Sequence, residues 1–247
     1  MAIKSFKRYE KKFILTKEQY DKFIPRILEF MEPDKHCRNG RNYNIYNIYY
    51  DTNNNDVIRH SISKPYYKEK LRLRSYKIPT SLDDEVFLEL KKKINGIVTK
   101  RRVVITLGQA YEFLETRKRP ENIDYVTKQI FNELEYYLSN NTVYPKVYIS
   151  YSRNAFFAKD NKDFRLTFDN SIQVRREKLS LEAGSFGRDL LGPEKFLMEV
   201  KILGAMPLWF SNILSDLSIY TTHFSKYGNE FMDYCKENKK YGRKEAC

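Results

Sequence analysis

Cysteine is scarce in this chain, and what there is does not pair up. Cys37, Cys235 and Cys247 are odd in number, widely separated and without a CxxC spacing. A disulfide framework and a structural zinc site are both disfavoured. His36, His60 and His223 are equally isolated, and the single tryptophan, Trp209 in PLWF, reads as a core anchor of its helix. No apolar run approaches the length of a membrane-spanning helix. The opening MAIKSFKRYEKKF is charged throughout and has no apolar h-region, so no signal peptide is expected. The three glycines of GSFGRDLLG lack both the spacing and the Lys-Ser/Thr of a phosphate-binding P-loop. With no internal repeat or linker, the expectation is one domain over residues 1–240, a disordered tail at 241–247 and a cytoplasmic location.

Acidic residues are also outnumbered. Lys and Arg total 45 against 32 Asp and Glu, a net charge of +13, which calls for an anionic partner. Aromatics make up 15% of the chain, mostly Tyr and Phe, and suit a β-rich fold.

The run YYKEKLRLRSY at 66–76 shows where the charge goes. As a strand it puts Lys70, Arg72 and Arg74 on one face and Leu71 and Leu73 on the other. Like charges roughly 6 Å apart repel by about 2–3 kcal/mol at an effective dielectric of 20. A single strand of this kind is ordinarily a wet sheet face. Other strands repeat the pattern, however. Residues 6–15 place Arg8, Glu10 and Lys12 together, and 86–94 place Glu89 with Lys91 and Lys93. Asn95-Gly96 is a two-residue hairpin signal leading into 97–105, where Lys100 and Arg102 share a face. Arg153 lies in the strand at 144–156, Arg165 and Asp169 in 164–169, and Glu199 and Lys201 in 196–203. Further strands are expected at 43–50 and 172–179.

Helices are expected from the capping box Thr16-x-x-Gln19, at 54–62, at 108–117, at 124–139 with Asp124 as N-cap, at 207–220 and at 225–238 with Ser225 as N-cap. The glycine-containing segment 180–194 reads as a mobile loop, and RKRPEN at 117–122 as another loop. Tyr9, Tyr49, Tyr50 and Tyr151 read as strand or core aromatics, and Lys92, Lys93 and Arg101 as solvated. Strands with apolar faces turned to helices and charged faces turned inward make an α+β protein. Its sheet would be an antiparallel eight-stranded β-barrel, a tunnel with a charged lumen, covered outside by helices. Arg offers paired contacts to phosphate oxygens and Lys a point charge. No nucleic-acid reader motif is visible.

RYEKKF, YYDT, KLRLRSY, FLELKKK, VTKRR, YSRNAF, RLTFD, FLMEVK and FSKY follow one another in an order that resembles the VTC domain. That domain is the polyphosphate polymerase branch of the triphosphate tunnel metalloenzymes, and the resemblance covers about residues 6–230. It implies a tunnel that binds ATP and growing polyphosphate with Mn²⁺ or Mg²⁺, and transfers the γ-phosphoryl of ATP to the chain end. By motif, Lys12, Arg72, Arg74, Lys91, Arg153, Arg165 and Lys201 would act on the reacting phosphates, with Lys100 and Lys226 binding substrate. Strand parity adds Lys70 and Arg102 to the substrate-binding set. Glu199 matches the family's metal-binding glutamate. Parity adds Glu10 and Glu89 as metal candidates, each with the alternative role of an ion-pair partner. Related tunnel enzymes of the CYTH branch begin with ExExK, and here Arg8 stands where the first glutamate would be. The alternatives are a CYTH-like hydrolase of tripolyphosphate or nucleoside triphosphate, and a non-catalytic polyphosphate-binding module. A membrane partner is left open.

Overall fold

The structure, a computed structural model, describes residues 8–40 and 42–240. The tail expected to be disordered, 241–247, lies outside the described residues. In chain order the strands are β1 (Arg8–Thr16), β2 (Met31–Pro33), β3 (Tyr43–Asp51), β4 (Tyr67–Ser75), β5 (Glu85–Ile94), β6 (Ile97–Thr106), β7 (Tyr144–Ala158), β8 (Arg165–Arg175), β9 (Arg188–Asp189) and β10 (Lys195–Leu203). The helices are α1 (Lys17–Ile27), α2 (Asp56–Ile62), α3 (Leu107–Thr116), α4 (Tyr125–Asn140), α5 (Leu208–Asp216) and α6 (Lys226–Lys240), with a 3-10 helix at Lys35–Gly40.

The chain is therefore mixed α+β, with a large antiparallel sheet and six α-helices among the described residues. Eight strands pair in the order β1-β10-β8-β7-β3-β4-β5-β6, with β2 added on β7 and β9 on β8. Among the described residues no pairing joins β1 to β6, so the closed barrel expected from the sequence goes beyond what the pairing shows.

Two compact units divide the chain. The first gathers Met1–Asn44, Tyr151–Ile172 and Leu191–Ser225; the second gathers Ile45–Ser150, Gln173–Leu190 and Lys226–Cys247. In the first, β1 pairs β10 and β10 pairs β8. Alternation sends Phe13, Leu15, Leu166, Phe168, Met198 and Val200 to one face, where Phe23 and Ile27 of α1 and Phe210 and Ile213 of α5 bury them. Each such side chain contributes roughly 1.5–3 kcal/mol by leaving water. The start of α1 is set by the expected capping box. Thr16 Oγ1 accepts from the Gln19 N–H, and the Gln19 side chain accepts from the Thr16 N–H. Trp209 stacks on Phe30, with ring centroids 4.3 Å apart.

In the second unit β3, β4, β5 and β6 are neighbours in sequence and in space. Asn95 and Gly96 have φ of 45° and 83°, the double left-handed step of a tight hairpin turn. Ile48, Leu71, Leu73, Leu88, Leu90, Val103 and Ile105 form the apolar face, covered by Ala110 and Phe113 of α3 and Phe131 and Leu134 of α4. Asp124 caps α4 as expected. A second capping box, Thr106 with Gln109, starts α3 one residue before the expected position. Arg101 is exposed as expected, whereas Lys92 is largely covered; both pair with Glu133 of α4, at 2.8 and 3.1 Å, and tie that helix to the sheet.

Two expectations are corrected. The strands expected at 164–169 and 172–179 are one strand, β8, which continues through Ser171 at φ 49°. A single left-handed residue kinks a strand without ending it. The segment 180–194, read as a mobile loop, is organised around Arg175. That buried guanidinium donates to the carbonyls of Glu177, Lys178, Ser180, Gly184 and Phe186, at 2.9 to 3.3 Å. It also lies 3.5 Å from the Tyr148 ring centroid and 4.1 Å from that of Phe186. Gly187 passes so close to β8 that a Cβ would stand 2.5 Å from the Val174 carbonyl oxygen. Arg175→Ala leaves several carbonyls without their donor and is expected to cost about 3 kcal/mol, because unsatisfied buried acceptors cost 1–3 kcal/mol each. Arg175→Lys, a point charge without the fork, should recover only part of this. Urea unfolding measures the loss, and protease cleavage within 180–190 reports the loosened loop.

Candidate functional site

The second unit presents its charged face in ordered rows. Register sets Lys68 opposite Lys93, then Lys70, Lys91 and Lys100 in line across β4, β5 and β6. The next row is Tyr49, Arg72, Glu89 and Arg102, and the next is Asn47, Arg74 and Phe87. Glu89, fully buried, is the one carboxylate in these rows. Its Oε2 accepts from Arg72 Nε at 2.5 Å, and its Oε1 from Arg102 Nε at 2.5 Å. Lys100 Nζ stands 3.4 Å and Arg74 Nε 3.8 Å from the same group. Burial by itself would raise the Glu89 carboxyl, but Arg72, Arg74, Lys100 and Arg102 outweigh it and hold the group well below the usual carboxylate range. A pair at 4 Å is worth about 4 kcal/mol at an effective dielectric of 20, so several cations on one carboxylate offset its desolvation.

Two tyrosines complete the row. Tyr49 Oη accepts from Arg72 NH1, and Tyr76 Oη from Arg102 NH2, both at 3.2 Å. Burial favours the neutral phenol in each. At Tyr49 Arg72 overrides that effect, and at Tyr76 Arg74 and Arg102 do, lowering both phenols. Arg74 Nε donates to Asn47 Oδ1 at 2.8 Å, and Asn47 in turn donates to the Ile149 carbonyl. Lys226 is buried at the first residue of α6. That helix is anchored within the unit by Tyr227, which donates to Asp51 at 2.8 Å, and by Glu230, which accepts both arms of Arg176 at 2.7 and 2.8 Å. Lys70 Nζ lies 5.8 Å from the Tyr227 ring centroid.

The first unit has a charged face of its own. Rows set Lys12 opposite Glu199 and Glu199 opposite Thr167, with Glu10, Lys201 and Arg165 in the next row. Lys12 Nζ donates to the Phe224 carbonyl at 2.8 Å and stands 3.6 Å from Glu10 and 3.5 Å from Glu199. Arg153 makes a two-pronged bond to buried Asp169 at 2.6 and 2.7 Å, and its NH2 is 3.6 Å from Glu199. Arg165 NH2 donates to Asp34 at 3.1 Å. Two buried polar atoms here, Arg165 Nε and Thr167 Oγ1, have no hydrogen-bond partner among the described residues. The side chain of Arg8 lies outside the described residues.

The donor sets of the two faces differ in what they fit. Among the described residues no three metal-ligating side chains converge. Hard divalent cations such as Mg²⁺ are commonly held by one or two carboxylates, with phosphate oxygens and water filling the shell. Glu199 and Glu10, both beside Lys12, supply that number, and the unpartnered Thr167 hydroxyl lies across from Glu199. Glu89 does not fit, because guanidinium groups occupy both of its oxygens. Its geometry is that of the ion-pair partner allowed for in the sequence reading.

Sequence reasoning missed Tyr49 and Tyr76 as partners of the arginines, and Asp169 as the anchor of Arg153. Strand parity put Tyr49 on the face of Arg72 and Arg74 once β3 and β4 were paired; without that pairing a tyrosine in YNIYNIYY is one aromatic among four.

The sequence profile of the VTC domain matches residues 7–232, and the chain belongs to the VTC domain family. Among solved structures it is similar to the Bacillus halodurans protein bh2851, described provisionally as an adenylate cyclase. Identity is 15%, coverage 89% of this chain and 95% of that one, and the TM-score 0.52. It also matches PH1819 from Pyrococcus horikoshii OT3, at 15% identity and a TM-score of 0.42 over 92% and 99% of the two chains. No curated protein matches the chain. At 15% identity the likeness to bh2851 speaks for the fold alone. Among the described residues no helix is long and apolar enough to cross a membrane.

The Glu89 cluster has a pH signature. A carboxyl depressed on folding contributes stability that is fully present above its ordinary value near 4.5 and is lost as pH falls through the lower folded value. Glu89→Gln lacks that contribution at every pH. Urea midpoints should therefore differ most between wild type and variant near neutrality, and the gap should shrink below about pH 4.5.

Proposed function

We propose that this chain is a metal-dependent polyphosphate polymerase that transfers the γ-phosphoryl of ATP to the end of a polyphosphate chain. The observation that carries the reading is the set of rows on β4–β6, where Lys70, Lys91, Lys100, Arg72, Arg74 and Arg102 share a face and surround the buried carboxylate Glu89. Membership of the VTC domain family supports it. Lysines directly opposite one another repel, and a linear polyanion laid along the face relieves that repulsion. Successive rows lie roughly 7 Å apart along a strand, so the face suits an anion longer than one phosphate group.

In the proposed reaction a terminal phosphate oxygen of the chain attacks the γ-phosphorus of ATP. The bond between that phosphorus and the β–γ bridging oxygen breaks, and ADP leaves with the electron pair. The nucleophile is already an anion, so no strong base is needed, and positioning with charge stabilisation does most of the work. Arg72, Arg74, Arg102 and Arg165 offer guanidinium N–H groups to phosphate oxygens, and Arg153 does so with the N–H groups that Asp169 leaves; Lys12, Lys70, Lys91, Lys100, Lys201 and Lys226 neutralise charge as it shifts toward the leaving group. Arg165 Nε and Thr167 Oγ1, both buried without a partner, are groups that a phosphate can satisfy. Mn²⁺ or Mg²⁺ held by Glu199 and Glu10 would polarise the phosphoryl oxygens. The closed tunnel form of the sheet, and a cytoplasmic location where ATP is supplied, belong to the same proposal.

Incubation of the purified chain with ATP and Mn²⁺, followed by a gel that resolves polyphosphate, tests the reading. Polymer and ADP are expected. Orthophosphate without polymer would identify a triphosphate hydrolase instead, and binding without turnover a polyanion-binding module. Glu199→Gln and Arg72→Ala should each lower turnover at least about a hundredfold, the order seen when one transition-state contact is removed. Their circular dichroism should match wild type.

A further inference from the structure

We propose that Glu89 is a positioning residue rather than a metal ligand: together with Tyr49 and Tyr76 it fixes the guanidinium groups of Arg72 and Arg102 in the orientation that takes phosphate oxygens. The inference deepens the polyphosphate reading and rests on it. Its basis is the near-symmetry of one row. Glu89 sits on the central strand β5, with Arg72 opposite on β4 and Arg102 opposite on β6. Each carboxylate oxygen accepts the Nε–H of one arginine. A tyrosine hydroxyl accepts a terminal N–H of each arginine at 3.2 Å, Tyr49 from Arg72 and Tyr76 from Arg102. Both guanidinium groups are thus held at two points, and Arg102 also lies 4.5 Å from the Phe87 ring centroid.

A guanidinium has five N–H donors, so two fixed bonds orient the plane without exhausting it. Arginine side chains otherwise carry substantial rotamer entropy, which a phosphate ligand would have to overcome on binding. Carboxylates that serve metals present oxygen lone pairs toward a cation site. At Glu89 those lone pairs face Arg72 and Arg102, with Lys100 and Arg74 close behind.

The positioning role predicts a sign that charge counting reverses. Glu89→Gln adds one unit of positive charge to an anion-binding face, so charge alone would tighten polyanion binding. Loss of positioning weakens it. Sodium tripolyphosphate titrated by calorimetry in EDTA, at fixed salt, reads the difference without metal. Relative to wild type, affinity should fall roughly tenfold in Glu89→Gln and roughly three- to fivefold in the double variant Tyr49→Phe, Tyr76→Phe, the scale of lost charge-assisted hydrogen bonds. In turnover assays the KM for ATP should rise in both variants, while the Mn²⁺ concentration for half-maximal rate stays at its wild-type value. Equal or tighter tripolyphosphate binding in both variants overturns the inference, as does a raised Mn²⁺ requirement confined to Glu89→Gln. If circular dichroism shows that Glu89→Gln does not fold, the tyrosine double variant, which keeps every charge, decides alone. Failure of wild type itself to bind tripolyphosphate would sink the functional reading instead, so the two failures are distinguishable.

Discussion

Like charges on neighbouring strands of one sheet face repel, and everything on β4, β5 and β6 is arranged around that repulsion. Lys70, Lys91 and Lys100 stand directly opposite one another, and the next row adds Arg72 and Arg102. Directly opposed like charges destabilise a sheet. A buried carboxylate at the centre of the second row changes the balance, because Glu89 attracts four cations at once while each of them meets the others at longer range. The same carboxylate could not be tolerated alone at full burial. Cations and carboxylate depend on each other, which is why removing one partner is a larger disturbance than the strength of any single pair suggests.

Such a face can persist only if the opposite one is strongly apolar and securely covered. Leu71, Leu73, Leu88 and Leu90 alternate with the charged positions and are fully buried under α3 and α4. Those helices are pinned by local chemistry: capping boxes or caps at their starts, and the Lys92–Glu133 and Arg101–Glu133 pairs along α4. The first unit repeats the plan with α1 and α5 over Phe13, Met198 and Phe168. Helix packing on one side thereby fixes which way the cations on the other side point.

Much of this could be read from the chain. Period-two alternation at 70–74 and 86–94 gave the faces, Thr16-x-x-Gln19 and Asp124 gave helix starts, and Asn95-Gly96 gave the hairpin. One readable signal went unused. A two-residue turn at 95–96 pairs Ile94 with Ile97, and counting back from it pairs Glu89 with Arg102 and Lys91 with Lys100, as the register confirms. Thr106-x-x-Gln109 was equally readable as a capping box. The pairing of Glu89 with Arg72 was not, because residues 76–84 between β4 and β5 form a loop too irregular for counting. Arg175 was opaque for a related reason. Its partners are backbone carbonyls, which carry no sequence signature, so a tightly bonded loop looked like a loose one.

Parity also treats all carboxylates alike, and that is where it failed to separate Glu89 from Glu199. Both lie on charged faces opposite a cation. What distinguishes them is the kind of cation and its distance. An Nε–H from each of Arg72 and Arg102 closes on Glu89 at hydrogen-bonding range from two sides, whereas Lys12 and Arg153 stand 3.5 and 3.6 Å from Glu199. The Arg153 fork is committed to Asp169. A second carboxylate, Asp169, thus does for Arg153 what Glu89 does for Arg72 and Arg102. The division follows from guanidinium geometry: an arginine grips one carboxylate in two-pronged fashion and can reach another only through a longer contact. Carboxylates bound in this way shape the arginines.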